Sequence, residues 1–203
     1  YVHIPFCRSK CPYCAFYSVI PVPGAPTAFL EALEGEIDLL SQSVDRPRLR
    51  TAYIGGGTPT LLSPHDWVRL ISVLEGAFTF SSDTEMTVEA NPGSLTREHL
   101  ALWKDWRVTR VSLGIQSLQD ADLLAMGRAH DSRQALESMA EIKGRGLSLS
   151  VDLLFGLPSQ KLRGWSDTLR IVLNEGAEHL SIYELTLEAG TPWGSHPPGN
   201  LAE

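Results

Sequence analysis

Tyr1-Val-His-Ile-Pro-Phe-Cys7-Arg-Ser-Lys-Cys11-Pro-Tyr-Cys14 opens the chain, an apolar segment that runs directly into a loop bearing every cysteine of the sequence. Three cysteines cannot fully pair as disulfides and none is left elsewhere to staple a fold, so ligation or catalysis is the first reading. The spacing C-x-x-x-C-x-x-C lets three thiolates on one short loop converge on a single metal centre. A ligand loop placed straight after a short strand also bears on the fold, because parallel α/β sheets gather their chemistry at the C-terminal ends of strands.

The rest of the chain repeats that layout. Apolar runs at residues 1–4, 52–54, 86–90, 108–115, 147–155 and 180–187 read as strands. Helix-period stretches lie between them. The clearest is 64–77, where Trp67, Leu70, Ile71, Leu74 and Phe78 recur on one face, Ser63 is the N-cap and Pro64 the first helical residue. Residues 26–40, 96–103 and 162–174 give three more, and Asp131 with Gln134 forms a capping box for a helix ending near Gly144 and Gly146. Six strands separated by helices predict a parallel sheet with right-handed crossovers, either doubly wound or an incomplete β/α barrel. Polar or glycine-rich residues cluster where each strand ends: Cys7 to Cys14, Gly55 to Thr58, Glu89 to Gly93, Gln116 and Ser117, Asp152 to Pro158, and Glu184 to Thr186.

Composition narrows the partners. The 203 residues, 43% hydrophobic, suit one domain with a substantial core. A net charge of -7 with no Lys/Arg block argues against nucleic acid. No apolar run approaches the roughly 20 residues of a membrane span, and no signal peptide opens the chain, which predicts a soluble, cytoplasmic protein. The start at Tyr1 without Met and the Pro/Gly-rich end predict a fragment: a core domain over 1–190, and over 191–203 the start of a linker to an absent C-terminal domain.

Iron-sulfur clusters normally take four cysteines, so three suit a [4Fe-4S] cubane with one iron left open. S-adenosylmethionine (SAM) can fill that position through its amino and carboxylate groups. The alternative is incidental thiols, or a zinc knuckle completed by a histidine such as His3; the other histidines have no metal-ligand spacing. From the residues alone, Gly55 to Gly57 allow close backbone approach to the amino end of such a ligand, or form a tight turn. Glu89 and Gln116 are ligand donors and acceptors, or polar residues at strand ends. Arg128 matches a carboxylate, or sits on the surface. Asp152, inside an apolar strand, must face the barrel mouth and meet ligand hydroxyls or be paired structurally.

Residues 1–14 resemble the opening of the oxygen-independent coproporphyrinogen III oxidase family of radical SAM proteins. Gly55-Gly56-Gly57-Thr58-Pro59-Thr60, Glu89-Ala90-Asn91-Pro92-Gly93, Gly114-Ile115-Gln116-Ser117, Gly127-Arg128, Asp152 to Pro158 and Tyr183-Glu184-Leu185-Thr186 resemble its later landmarks in order. The resemblance implies an incomplete (β/α)6 barrel of the radical SAM type, a cluster on Cys7, Cys11 and Cys14, and SAM contacts from Tyr1, Tyr13, Gly56, Gly57, Thr58, Glu89, Gln116, Arg128, Asp152 and Thr186. It also implies that a reduced cluster gives one electron to SAM, yielding methionine and a 5'-deoxyadenosyl radical.

Within this family one branch decarboxylates coproporphyrinogen III, and a HemW-like branch binds heme and delivers it to client hemoproteins. The decarboxylases carry a further cysteine two residues after the third, where this chain has Phe16. That departure favours the chaperone branch, with heme as cargo, although Ala15 replaces an aspartate common there. The decarboxylase is the alternative, so enzymatic activity stays open. Both readings imply heme or porphyrinogen and an electron donor as partners; the heme-binding residues are unassigned.

Overall fold

The computed structural model describes residues 1–201. Its strands are β1 (Val2–Ile4), β2 (Thr51–Gly56), β3 (Glu85–Ala90), β4 (Arg110–Gln116), β5 (Ser148–Phe155) and β6 (His179–Glu184). Its helices are α1 (Ala25–Ser41), α2 (Pro64–Ala77), α3 (Arg97–Asp105), α4 (Asp120–Ala125), α5 (Ser132–Gly144), α6 (Leu162–Asn174) and α7 (Pro192–Ser195). The strands pair in the order β1-β2-β3-β4-β5-β6, all parallel. A doubly wound sheet reverses direction at a switch point. This sheet never does, so each unit adds beside the last and the result is the open, incomplete barrel.

Local signals explain where the helices sit. Ser63 accepts a hydrogen bond from the Asp66 amide at 3.1 Å while the Asp66 carboxylate accepts from Ser63 N at 3.2 Å, closing the first turn of α2. Its stripe of Trp67, Leu70, Leu74 and Ala77 is buried, and Trp67 meets Trp103 of α3 edge-on with centroids 5.2 Å apart. Asp131 and Gln134 cap α5 in the same reciprocal way. Val111, Leu113 and Ile115 on β4 are fully buried at the centre of the sheet, each contributing about 1.5–3 kcal/mol by burial.

Three features depart from the periodicity. The expected strand over 108–115 starts at Arg110, because Val108 N donates to Trp103 O (2.8 Å) and Arg107 adopts φ 65°, ending α3 in a left-handed cap. Residues 180–187 stop being strand at Glu184; only Leu185 N continues the ladder, to Phe155 O at 2.8 Å. Helices α4 and α7 are too short for a period to register in sequence. In the segment 191–203, Pro192–Ser195 is helical and Trp193 N donates to Pro12 O (3.0 Å) of the cysteine loop; its last two residues lie outside the described ones. Among the described residues no helix is long and apolar enough to cross a membrane.

Candidate functional site

A cavity of about 500 Å³ opens at the C-terminal ends of the strands, with all six contributing side chains or the loops that follow. Cys7, Cys11, Cys14, Tyr13, Gly56, Gly57, Thr58, Glu89, Gln116, Arg128, Asp152 and Thr186 all line it. Tyr1 does not. It precedes β1, at the opposite end of that strand from the cysteine loop, is 76% exposed, and donates its hydroxyl hydrogen to His3 Nδ1 at 2.9 Å.

The cysteine loop is tied at its base by Cys7 N to Val19 O (3.0 Å) and Val19 N to Pro5 O (2.7 Å), and turned by Cys14 N to Cys11 O (3.1 Å). All three thiols are free and half-buried. Burial pushes the Cys14 thiol up from its ordinary value, favouring its neutral form. Among the described residues no three His, Cys, Asp or Glu donors close on one ion. His3 is no zinc ligand, since Nε2 donates to Tyr17 O at 2.9 Å and Nδ1 is held by Tyr1. Three free thiols on one short loop, all lining one cavity, suit a cluster in which each cysteine reaches a different iron.

The glycine run serves the protein's own packing. A Cβ on Gly55 would lie 2.7 Å from the Glu89 carboxyl, one on Gly56 (φ 114°) 2.8 Å from the His3 ring, and one on Gly57 2.6 Å from Phe6 O. Ligand approach is thus a secondary benefit of glycines that first let β1, β2 and Glu89 come together.

Glu89 is held by two hydrogen bonds. Tyr53 Oη donates to its Oε1 (2.7 Å) and Gly56 N to its Oε2 (3.0 Å). Burial nevertheless holds its pKa above the usual carboxylate range, and the charge of Asp152 adds to this. Asp152 is also raised by burial, and accepts from Ser112 Oγ at 3.1 Å. It therefore lines the cavity and is paired with hydroxyls. Two desolvated, mutually repelling carboxylates make a pocket that favours a cationic ligand. Gln116 sits at a β-bulge in β4 with φ 66°, a conformation costing roughly 1–3 kcal/mol. The bulge turns its amide into the cavity, where it makes no hydrogen bond to a described residue. Arg128 Nε is buried without a partner.

Sequence reasoning missed Tyr53, Ser112 and Asn91 as site residues. Tyr53 was detectable: the two-residue period of β2 buries Ile54 outward and turns Tyr53 inward. Asn91, whose Nδ2 donates to Thr58 Oγ1 at 3.0 Å, stands inside the quoted Glu-Ala-Asn-Pro-Gly run.

The family model for the radical SAM superfamily matches residues 1–172. The chain belongs to the radical SAM superfamily. Among curated radical SAM relatives, the mouse protein "Radical S-adenosyl methionine domain-containing protein 1, mitochondrial" is 38% identical over 94% of this chain and 43% of its own length. "Heme chaperone HemW" of Bacillus subtilis is 37% identical over 94% and 51%, and that of Escherichia coli 35% over 98% and 53%. The chain spans about half the length of these relatives. Coproporphyrinogen III oxidase (HemN) from Escherichia coli, described as a radical SAM enzyme, superposes with TM-score 0.91 at 25% identity over the whole chain and 48% of its own.

The superfamily implies a [4Fe-4S] cluster and SAM, and the residues present fit both. Three free thiols face the cavity. For the two positive groups of SAM, its ammonium and sulfonium, there are the desolvated carboxylates of Glu89 and Asp152; for its carboxylate and adenosyl polar atoms, the unpartnered Arg128 Nε and the free Gln116 amide.

Proposed function

We propose that this chain is the radical SAM core, residues 1–190, of a HemW-like heme chaperone: a protein that holds a [4Fe-4S] cluster on Cys7, Cys11 and Cys14, binds SAM in the cavity, and delivers heme to client hemoproteins. The observation that carries the chaperone reading is Phe16. It stands where the decarboxylases of this family place a further cysteine, is 72% exposed at the cavity rim, and offers no sulfur. Relatives named as heme chaperones, 33–37% identical to this chain across nearly its whole length, support the same choice.

Each residue then has a role in the bound state. The cluster, when present, supplies an open iron and one electron. Glu89 and Asp152 hold positive groups, Gln116 and Thr186 meet the nucleoside side, and Tyr13 covers the cluster loop from beneath Trp193, its ring centroid 5.9 Å away. Gly56, Gly57 and Thr58 supply the wall beside Cys7, and Tyr1 supports Tyr53 from outside at 6.0 Å. Free thiols and an acidic surface suit the reducing cytoplasm, with an electron donor as a further partner.

The second reading is oxidative decarboxylation of coproporphyrinogen III, favoured by the close superposition on HemN. Anaerobic reconstitution decides between them. Stoichiometric heme binding and transfer to an apo-hemoprotein, with no coproporphyrinogen turnover, supports the chaperone; SAM-dependent formation of protoporphyrinogen overturns it.

A further inference from the structure

Helix α4 ends on Gly127, whose φ of 65° lets its N–H reach Leu124 O (3.0 Å) while Arg128 N reaches Leu123 O (2.9 Å). This cap aims Arg128 under the cysteine loop, and a Cβ on Gly127 would already touch Pro12 at 3.6 Å. The guanidinium is then fixed on several sides. Nη2 donates to Gly114 O at 2.6 Å and to Asn91 Oδ1, tying together the ends of β4 and β3. Nη1 donates to Cys11 Sγ at 3.7 Å.

The contacts continue past Arg128. Asn91, which accepts from Arg128, donates through Nδ2 to Thr58 Oγ1 at 3.0 Å. With its oxygen so occupied, the buried Thr58 hydroxyl turns its own hydrogen toward Cys7 Sγ, 3.6 Å away. Cys11, Arg128, Asn91, Thr58 and Cys7 therefore form one continuous belt with a hydrogen-bond donor at each sulfur end. Asn91 sets the direction of both ends.

Hydrogen bonds to ligand sulfurs, and positive charge beside them, stabilise the state with the extra electron and so raise the reduction potential of an iron-sulfur centre. We infer that the Thr58–Asn91–Arg128 belt sets the potential of the cluster through Cys7 and Cys11, before SAM arrives. Arg128 is in this sense a positioning and tuning residue, with three of its five N–H donors already committed to Gly114, Asn91 and Cys11. The inference rests on the proposed cluster assignment.

The test is an anaerobic redox titration of the reconstituted protein, followed by electron paramagnetic resonance without SAM. Thr58→Val and Arg128→Gln should each make reduction at least tenfold less favourable, about 59 mV for a one-electron couple. Thr58→Ser, which restores the hydroxyl, should titrate like the wild type. A Thr58→Val protein with full iron content and an unchanged midpoint overturns the inference, as does an Arg128→Gln protein that loses SAM affinity alone. Thr58→Val still decides should Arg128→Gln fail to fold. A wild type that takes up no iron and sulfide overturns the cluster assignment itself, and the inference with it.

Discussion

A methyl group on Gly57 should unseat β1 from β2 and with it the cysteine loop. The added Cβ of Gly57→Ala would stand 2.6 Å from Phe6 O and 3.0 Å from Phe6 C and N, all backbone atoms that no rotamer change can move aside. Reaching an ordinary contact of about 3.5 Å means opening the strands by roughly 0.9 Å. That displacement breaks the hydrogen bond from Gly57 N to Ile4 O, now 2.8 Å, worth about 1 kcal/mol. Forced overpacking adds about 1–3 kcal/mol, for a total of roughly 2–4 kcal/mol against a typical stability of about 5–15. For a chain of this length the melting temperature should fall by roughly 4–16 °C. Differential scanning calorimetry measures it, with Gly35→Ala as control: that glycine lies exposed in α1 with nothing within 4 Å of a Cβ, so alanine should stabilise by about 0.5–1 kcal/mol. Equal melting temperatures for Gly57→Ala and the wild type would refute the packing argument.

Other outcomes follow from the same geometry. Tyr53→Phe leaves Glu89 Oε1 without its donor, at a cost of about 1–2 kcal/mol, and should weaken SAM binding roughly 5–30-fold by calorimetry with unchanged circular dichroism; an unaltered Kd contradicts the role given to Tyr53. Burial raises the Asp152 pKa above its ordinary 3.8, so the folded state holds this proton more tightly than the unfolded one and the stabilisation is lost as pH rises through the folded value. His130, lowered to about 4 by burial, acts in the opposite sense between about pH 4 and 6.5, so the comparison must be with Asp152→Asn: its stability advantage over the wild type should grow as pH climbs from 3.8, and a flat difference in denaturant titrations contradicts the assignment. Cys7→Ala, Cys11→Ala and Cys14→Ala should each abolish the cluster, a result lost if any one keeps the broad absorption near 400 nm (roughly where thiolate-ligated clusters absorb).

The sheet was legible because its signals are local: β3, β4 and β5 are apolar runs, and Ser63 and Asp131 announce their helices within four residues. Periodicity left the choice between a doubly wound sheet and an open barrel undecided, since strand order is set by long-range pairing that it does not encode; the family resemblance implied the incomplete barrel that the strand order has. In the site, Cys7, Cys11 and Cys14 were readable from spacing. Arg128 was readable as a partner for a carboxylate or as a surface charge; its protein partners Asn91, Gly114 and Cys11 come from three distant segments that α4 and the Gly127 cap bring together. The glycine run was readable as a turn, while the reason for it, close approach of Glu89, His3 and Phe6, is tertiary. Gln116 gave no sign of its positive φ, because the bulge that produces it depends on pairing between β4 and β5.

Electron paramagnetic resonance of the anaerobically reconstituted, dithionite-reduced protein, recorded before and after SAM is added, tests the central claim most directly. A cluster on three cysteines with an open iron should give a low-temperature [4Fe-4S] signal whose g-values shift when SAM binds. A silent spectrum, or a cluster signal indifferent to saturating SAM, would contradict the account.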